Sequence, residues 1–530
     1  MTMKRNISTG FLMLLLIIFS PMASLQWMGS TPVEAYRSVK ETEYDVRIYQ
    51  ADPPLKKLMG DIDGDGLIDI PMKYRGDGIY IKFGKSIEYG RTYNATEDYD
   101  FAIIGNGTQI YLRLKYIIDL NNDLYDDLIV NTLYSPDGGA TWDSRLRILY
   151  GRVNYPKVIY LEENGNSSYW NATISGPYDP SGGFADYVEI FDYDNDGLND
   201  IFPSNPGLIV SPDEKGVIYG ISGRVLKSKK EVRYGDFDFT IIGKKYDNDV
   251  QNLGHGLYSI DFDGDGNEDW VWSDVFLSPP GRTGAGLTMI IFNNGTRLHG
   301  NYTLEDFDTT VIYGAESRDF AGMDGDYGLA KGDFNYDGIE DLVLNIVGSD
   351  GPDNSVTDCG EISIILGNRT RESVIDLRSN RNRVYFTIYG SMAGEQIGHA
   401  VDVADYNNDS YPDLLFSSRV SITAAYSGAA FVWLGKKNPA REYYSLRDSE
   451  VGFEGVNLEI MADYGFAVVF EDMNGDGFPD VIVSPKPNPY KGKYTDIFLN
   501  KNDPPTVRFL GVEKKEVLRG EENHLWVLCY

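Results

Sequence analysis

Seven acidic loops along this chain share one spacing of oxygen side chains. They read DIDGDGLID from Asp61, DLNNDLYDD from Asp119, DYDNDGLND from Asp192, DFDGDGNED from Asp261, DFNYDGIED from Asp333, DYNNDSYPD from Asp405 and DMNGDGFPD from Asp472. Positions 1, 5 and 9 are Asp in every loop, and position 3 is Asp or Asn. Hard oxygen donors at alternate positions of a tight loop suit Ca²⁺, which takes about six to eight oxygens in flexible geometry. Mg²⁺ prefers rigid octahedral sites and keeps its waters, and Zn²⁺ wants His or Cys, which the loops lack.

Up to seven Ca²⁺ are therefore expected. Side chains at positions 1, 3, 5 and 9 and the backbone carbonyl at position 7 are the candidate ligands. In the first loop these are Asp61, Asp63, Asp65, Leu67 and Asp69. In the second they are Asp119, Asn121, Asp123, Tyr125 and Asp127, and in the third Asp192, Asp194, Asp196, Leu198 and Asp200. The fourth offers Asp261, Asp263, Asp265, Asn267 and Asp269, and the fifth Asp333, Asn335, Asp337, Ile339 and Asp341. The sixth offers Asp405, Asn407, Asp409, Tyr411 and Asp413, and the seventh Asp472, Asn474, Asp476, Phe478 and Asp480. Without a cation such clusters of carboxylates repel one another. Position 6 is Gly in five loops, where the turn favours φ > 0. Leu124 and Ser410 depart from that rule, so the second and sixth sites are expected to be weak or distorted.

The loops start 58 to 73 residues apart. A near-constant period means one supersecondary unit built repeatedly. Each loop runs at once into a short apolar stretch: IPM, LIV, IFP, WVW, LVL, LLF or VIV. A second stretch follows, usually closed by Gly, as in IYIKFG ending at Gly84 and LRILYG ending at Gly151. A third carries its own signature, as in YDFAIIG ending at Gly105. The strand entering the next loop often begins at a glycine, as at Gly254, Gly328, Gly398 and Gly465. Four strands per repeat, with the loop between the first and second, predict an all-β, seven-bladed propeller. YDVRIYQ from Tyr44 matches the outer-strand signature, and the seventh repeat lacks that strand. Residues near Glu43 to Gln50 are therefore expected to complete the last blade and remove an exposed edge.

The termini carry other signals. Residues 1–24 combine Lys4 and Arg5, an apolar run from Phe11 to Phe19 and small residues after Pro21, the pattern of a secretory signal peptide. An uncleaved anchor is the alternative, although nine apolar residues are short for a membrane span. No membrane span is expected in the mature chain. Residues 40–502 hold the propeller, and 503–530, after Asp503-Pro504-Pro505, look like the start of an immunoglobulin-like domain that continues beyond Tyr530. Cys359 and Cys529 are expected to be free thiols. Sequons start at Asn94, Asn106, Asn166, Asn171, Asn294, Asn301, Asn368 and Asn408; Asn408 lies inside the sixth loop and is expected to stay unmodified, and the others fit a glycosylated, extracellular chain. The formal charge of −32 argues against nucleic-acid binding through phosphate neutralisation.

The loops, the glycine-led strands and the Gly-ended strands resemble FG-GAP repeats of the integrin α-subunit propeller and the related VCBS-type repeats of microbial surface proteins. The resemblance covers about residues 40–502. The Phe-Gly element is degenerate, as Leu253-Gly254, Tyr327-Gly328, Ile397-Gly398 and Tyr464-Gly465. The family fold implies a seven-bladed propeller with Ca²⁺ in inter-strand loops, in a secreted or surface form. Integrin propellers load metal in only some blades, whereas all seven loops here have the ligands. Nothing in the sequence shows an integrin β partner, an inserted domain or a membrane tail.

A catalytic constellation is missing from the sequence. His255 and His399 sit in G-H-G and G-H-A, but Leu329 and Phe466 stand at the corresponding places, which suits packing or channel lining. There is no G-x-S-x-G, H-E-x-x-H or phosphate-binding Gly loop. The expectation is a non-enzymatic module that mediates adhesion or recognises an extracellular glycan or surface protein. The alternatives are a Ca²⁺-dependent polysaccharide lyase or hydrolase, or a structural spacer in a surface array. Trp270 and Trp272 alternate in one strand, so they either pack between blades or offer a sugar-stacking face.

Overall fold

A computed structural model describes residues 37–500, apart from 106–108, 140, 163, 180–181, 247–248, 251, 323–326, 421–427, 437, 455–463 and 487–492. The predicted signal peptide, Asn106, Cys529 and the segment 503–530 lie outside the described residues. The described residues form seven blade sheets, one per acidic loop, arranged as a β-propeller, and one two-stranded hairpin of Lys245–Tyr246 with Asp249–Val250. The single α-helix among the described residues is short, Gly223–Ser228. No described helix is long and apolar enough to cross a membrane.

Each sheet begins near the ring axis, passes through its acidic loop and steps outward. Blade 4 shows the pattern: Tyr258–Ile260, the loop, Asp269–Asp274, Leu287–Ile291, then Thr309–Tyr313. Blade 1 departs from it, because its innermost element shrinks to one bridge between Gly60 and Asp69. The second strands are buried on both faces, which is why they read as unbroken apolar runs. In Asp127–Tyr134, Leu128 and Val130 enter the core shared with blade 1, and Ile129 enters the core shared with blade 3. The cores therefore lie between blades. Trp270 and Trp272 are fully buried in one such core, packed with Phe191, Phe202 and Phe239, so they are packing residues and form no sugar platform.

The ring closes as the outer-strand signature predicts. Val46–Tyr49 pairs antiparallel with Tyr494–Phe498, Val46 opposite Ile497 and Ile48 opposite Thr495. Val46 and Ile48 are buried, and between them Arg47 binds Asp496 through two hydrogen bonds of 2.6 and 2.7 Å.

Every four-stranded blade also gains a fifth, outermost strand from its successor. The stretch between the third and fourth strands of one blade lies parallel along the fourth strand of the blade before it. Val158–Tyr160 covers Phe101–Ile104, Glu231–Arg233 covers Ala172–Ser175, and Gly300–Thr303 covers Phe239–Ile242. The series continues with Val374–Asp376 on Thr309–Tyr313 and Tyr443–Ser445 on Val384–Tyr389. Arg37–Lys40 then covers Val451–Glu454, and Arg91–Asn94 covers Val46–Tyr49. These seven latches give each outer edge backbone partners it would otherwise lack.

Candidate metal centres

All seven loops share one hydrogen-bond skeleton. The carboxylate at position 1 accepts the backbone N–H groups of positions 5 and 6, at 2.6–3.2 Å. The carboxylate at position 5 accepts the N–H of position 7, at 2.8–3.1 Å. These bonds fold the chain back on itself and gather the acidic side chains. The turn requires left-handed backbone at two places. Position 6 has φ from 70° to 90° in every loop, including Leu124 and Ser410. The second and sixth loops therefore keep the common backbone, at the strain of a side chain in the left-handed region. Position 4 is left-handed too, with φ from 54° to 73°, and it is Gly or Asn in six of the seven loops.

The carboxylate at position 9 is fully buried in every loop. One of its oxygens accepts the N–H of position 2, at 2.8–3.2 Å. The other accepts the N–H of a residue two or three past the end of the third strand, at 2.6–2.9 Å. That residue is Gly84, Gly151, Gly223, Gly367 or Gly435 in five blades. A Cβ there would meet the carbonyl of loop position 8, as at 2.2 Å from Glu340 O for Gly367. Asn293 and Asn500 take the place in the other two, and their side-chain amides donate to Tyr193 O and Tyr406 O of the preceding loop. Position 9 is thus a clamp between the loop and its sheet. Burial pushes these carboxyls up, to about 8 at Asp69 and Asp269 and to about 7 at Asp127, Asp200, Asp341, Asp413 and Asp480.

Position 3 differs between the two halves of the ring. In loops 4 to 7 its Oδ1 accepts the amide of position 5, at 2.9–3.1 Å. In the first three loops Asp63 Oδ1, Asn121 Oδ1 and Asp194 Oδ1 are buried without a hydrogen-bond partner. An unpaired buried oxygen costs free energy unless something binds it. Carboxylate oxygens of Asp61, Asp63 and Asp69, of Asp192, Asp194 and Asp200, and of Asp261, Asp263 and Asp265 lie within 4.8 Å of one another. All-oxygen donors with buried, unsatisfied lone pairs fit a hard divalent cation.

No family model matches the chain. Over 207 residues it is 27% identical to phosphatidylinositol-glycan-specific phospholipase D of Bos taurus, covering 38% of this chain and 24% of that protein. Over 274 residues it is 25% identical to integrin alpha-V of Gallus gallus, covering 50% of this chain and 22% of that protein. The chain spans about a quarter of the length of the curated relatives it matches. Among solved structures, a rhamnogalacturonan lyase PL11 of Bacillus licheniformis aligns over 85% of this chain and 75% of that chain, at 10% identity and a TM-score of 0.32. The propeller resembles the FG-GAP propeller of integrin α-subunits.

In this propeller the recurrent glycine that opens several repeats is a point of close approach. Gly254, Gly398 and Gly465 have φ of 89°, 86° and 87°. A Cβ on Gly465 would stand 2.3 Å from Ala429 O. The fifth repeat uses Gly322, with φ of 81°, instead of the expected Gly328. Eleven residues separate Gly322 from Asp333, against seven between Gly398 and Asp405, and this insertion shifts the phase of the motif. The residue six before the loop is therefore Tyr327, matching His255, His399 and Phe466, and Leu329 is not part of that series. The Tyr327 and His399 rings lie 5.9 and 4.7 Å from the Phe466 ring, centroid to centroid. His255 lines a channel cavity and meets Tyr187 OH at 3.0 Å.

Sequence reading also missed an acid placed just before the fourth strand. Asp45, Asp100, Asp238 and Glu450 each accept the N–H of a residue at the end of the third strand, from Leu499, Phe83, Ser222 and Leu434. Asn171 does the same for Tyr150, so this sequon asparagine holds the sheet together. The signal was visible in the Y-D, F-D and S-E pairs ahead of these four outer strands. Three loops also meet a basic side chain. Lys85 pairs with Asp63 and Asp65, Arg224 with Asp194 and Asp196, and Arg371 with Asp263 and Asp265. Cys359 is a buried free thiol, pushed up to about 12 by burial and by nearby acids.

Proposed function

We propose that the protein is an extracellular, calcium-binding FG-GAP propeller that mediates adhesion or recognises glycans or surface proteins without chemically altering them. The observation that carries the calcium part is the common loop skeleton, with its unpaired buried oxygen at position 3 in loops 1 to 3. Positions 1, 3 and 5 of each loop would hold the ion, with position 9 as both clamp and donor. Bound calcium would supply charge neutralisation and a tie between the first two strands of each blade. Recognition is supported by the sequence match to integrin alpha-V over half of this chain, and by a ring that presents two open channel mouths.

A binding screen of immobilised glycans and surface proteins, run with Ca²⁺ and with EDTA, tests the reading. At least one saturable ligand and a calcium-dependent rise in melting temperature are expected. No ligand in either condition would overturn the recognition role. Shortening of a polysaccharide during incubation would overturn the non-enzymatic one.

A further inference from the structure

The central channel is electrically polarised. On the loop side a cavity of about 540 Å³ is lined by Asp192, Glu189, Glu268 and Asp402 as well as Lys56, Lys57 and Lys331. Across a waist at Leu55 and Tyr327, a second cavity of about 550 Å³ opens at the strand ends remote from the loops. Its lining holds four cationic side chains, Lys57 (shared with the first cavity), Arg75, Arg113 and Lys115, against one carboxylate, Asp186, and Arg75 Nε also pairs with the buried Asp52 Oδ1 at 3.4 Å. On a chain of formal charge −32 such a concentration of positive charge is out of character. A low-dielectric wall around it focuses the field on an incoming anion.

The same cavity is lined by Tyr74, Tyr111, Tyr187 and Tyr327, with His255. Several of these groups are held in place. Tyr187 OH meets His255 Nε2 at 3.0 Å, and Tyr74 OH lies 3.4 Å from Tyr327 OH. Arg113 Nη1 donates to Asp186 Oδ1 at 3.2 Å, and Lys115 Nζ to Asp186 O at 2.5 Å. The guanidinium of Arg113 sits 5.3 Å from the Tyr111 ring centre, and that of Arg75 5.7 Å from the Tyr74 ring centre. A cavity of this size is in the range that takes a small ligand, about 300–1,000 Å³.

We propose that this mouth binds an acidic saccharide, a stretch of glycan bearing carboxylate or sulfate groups. Arginine forks match carboxylate and sulfate geometry. Tyrosine rings offer flat apolar faces to the C–H side of a sugar, with a hydroxyl for its polar edge. A bare inorganic anion would use the cations and leave the rings idle. An acidic peptide would satisfy the charge but has no need of four tyrosines.

This inference rests on the recognition reading and narrows its ligand and site. The test is calorimetric titration of the calcium-loaded chain with oligogalacturonate, a heparin-derived oligosaccharide, an uncharged dextran oligosaccharide, sodium sulfate and poly-glutamate. Saturable binding of at least one acidic oligosaccharide is expected, weakening as salt is raised, with no binding of dextran. Lys57→Gln combined with Arg113→Gln should weaken it by about tenfold or more. Tyr187→Ala should also weaken it while leaving the cations in place. Arg75→Gln serves as the charge variant if the double variant melts early. Equal affinity for sulfate or poly-glutamate would overturn the saccharide assignment. Undiminished binding by well-folded variants would overturn the site while leaving the recognition reading intact. Absence of any ligand, here and in the wider screen, would sink both.

Discussion

Gly84 donates its backbone N–H to Asp69 Oδ1 at 2.8 Å, while Asp69 Oδ2 takes the N–H of Ile62 at 2.9 Å. One buried carboxylate thus joins the start of the first loop to the end of the third strand. This separates two roles within the loop. Asp69→Ala should leave two buried amides unpaired, each costing about 1–3 kcal/mol. The loss should appear already in EDTA, and be larger in Ca²⁺ because position 9 is also a donor. Asp63→Asn, at position 3, should leave the melting temperature in EDTA nearly unchanged and reduce the rise produced by Ca²⁺. Thermal melts of both variants in both conditions check this. Equal behaviour of the two would show that clamp and ligand are not distinct.

Ring closure makes a second expectation. Arg47 lies between the rings of Tyr44 and Tyr494, 4.3 and 4.4 Å from their centres, while it binds the fully buried Asp496. Arg47→Ala would strip a buried carboxylate of its guanidinium, a change that costs about 3–5 kcal/mol. Adding Asp496→Asn should recover part of that loss. Removing residues 37–50 altogether should lower the melting temperature of the entire ring, because both the last blade and the latch on blade 6 would lose a strand. A melting curve unchanged by either alteration would refute closure through this segment.

Much of this architecture was legible because it is repeated in residues with a strong preference. The loop acids fix the period, and the Gly that follows the third strand in five blades marks a place where a Cβ would strike a carbonyl. The closing strand was readable because Asp45 to Ile48 copies the pattern of Asp100 to Ile103. The latches were not readable. They are three or four residues long, and Glu231-Val232-Arg233 offers one inward side chain, too little to define a period. The glycine of the fifth repeat was misread because an insertion after Gly322 brings Tyr327-Gly328 into a similar sequence context. The left-handed residue at position 4 escaped notice because Tyr336 breaks its Gly/Asn pattern. The channel mouth gathers residues from blades 1 to 5 that no local pattern connects.

Leu124 supplies a third expectation. It occupies position 6 of the second loop with φ of 71° and is 88% exposed, so it contributes little burial to set against its strain. A left-handed non-glycine residue costs about 1–2 kcal/mol. Leu124→Gly should therefore raise stability by about 1 kcal/mol, with or without Ca²⁺. Ser410→Gly, at φ of 70°, should act in the same direction. Denaturant melts provide the measurement, and a loss of stability in both variants would contradict the strain argument.

The last expectation concerns pH at a place remote from the loops. Asp319 is 6% exposed, and its Oδ2 accepts the N–H of Glu316 at 2.6 Å. Burial pushes its carboxyl from 3.8 up to about 7, with Glu361, Glu316 and Asp350 acting in the same direction. A carboxyl raised on folding binds its proton more tightly in the native state. Its effect on stability is absent below about pH 4, grows unfavourable as pH rises, and is complete above about pH 7. The displacement corresponds to at most roughly 4 kcal/mol. Asp319→Asn keeps an oxygen for the Glu316 amide and removes the buried charge. With Ca²⁺ held saturating, the variant should match the parent chain near pH 4 and melt higher near pH 8. A difference in melting temperature that stays constant across that range would show that Asp319 is already ionised at low pH and that its burial carries no such penalty.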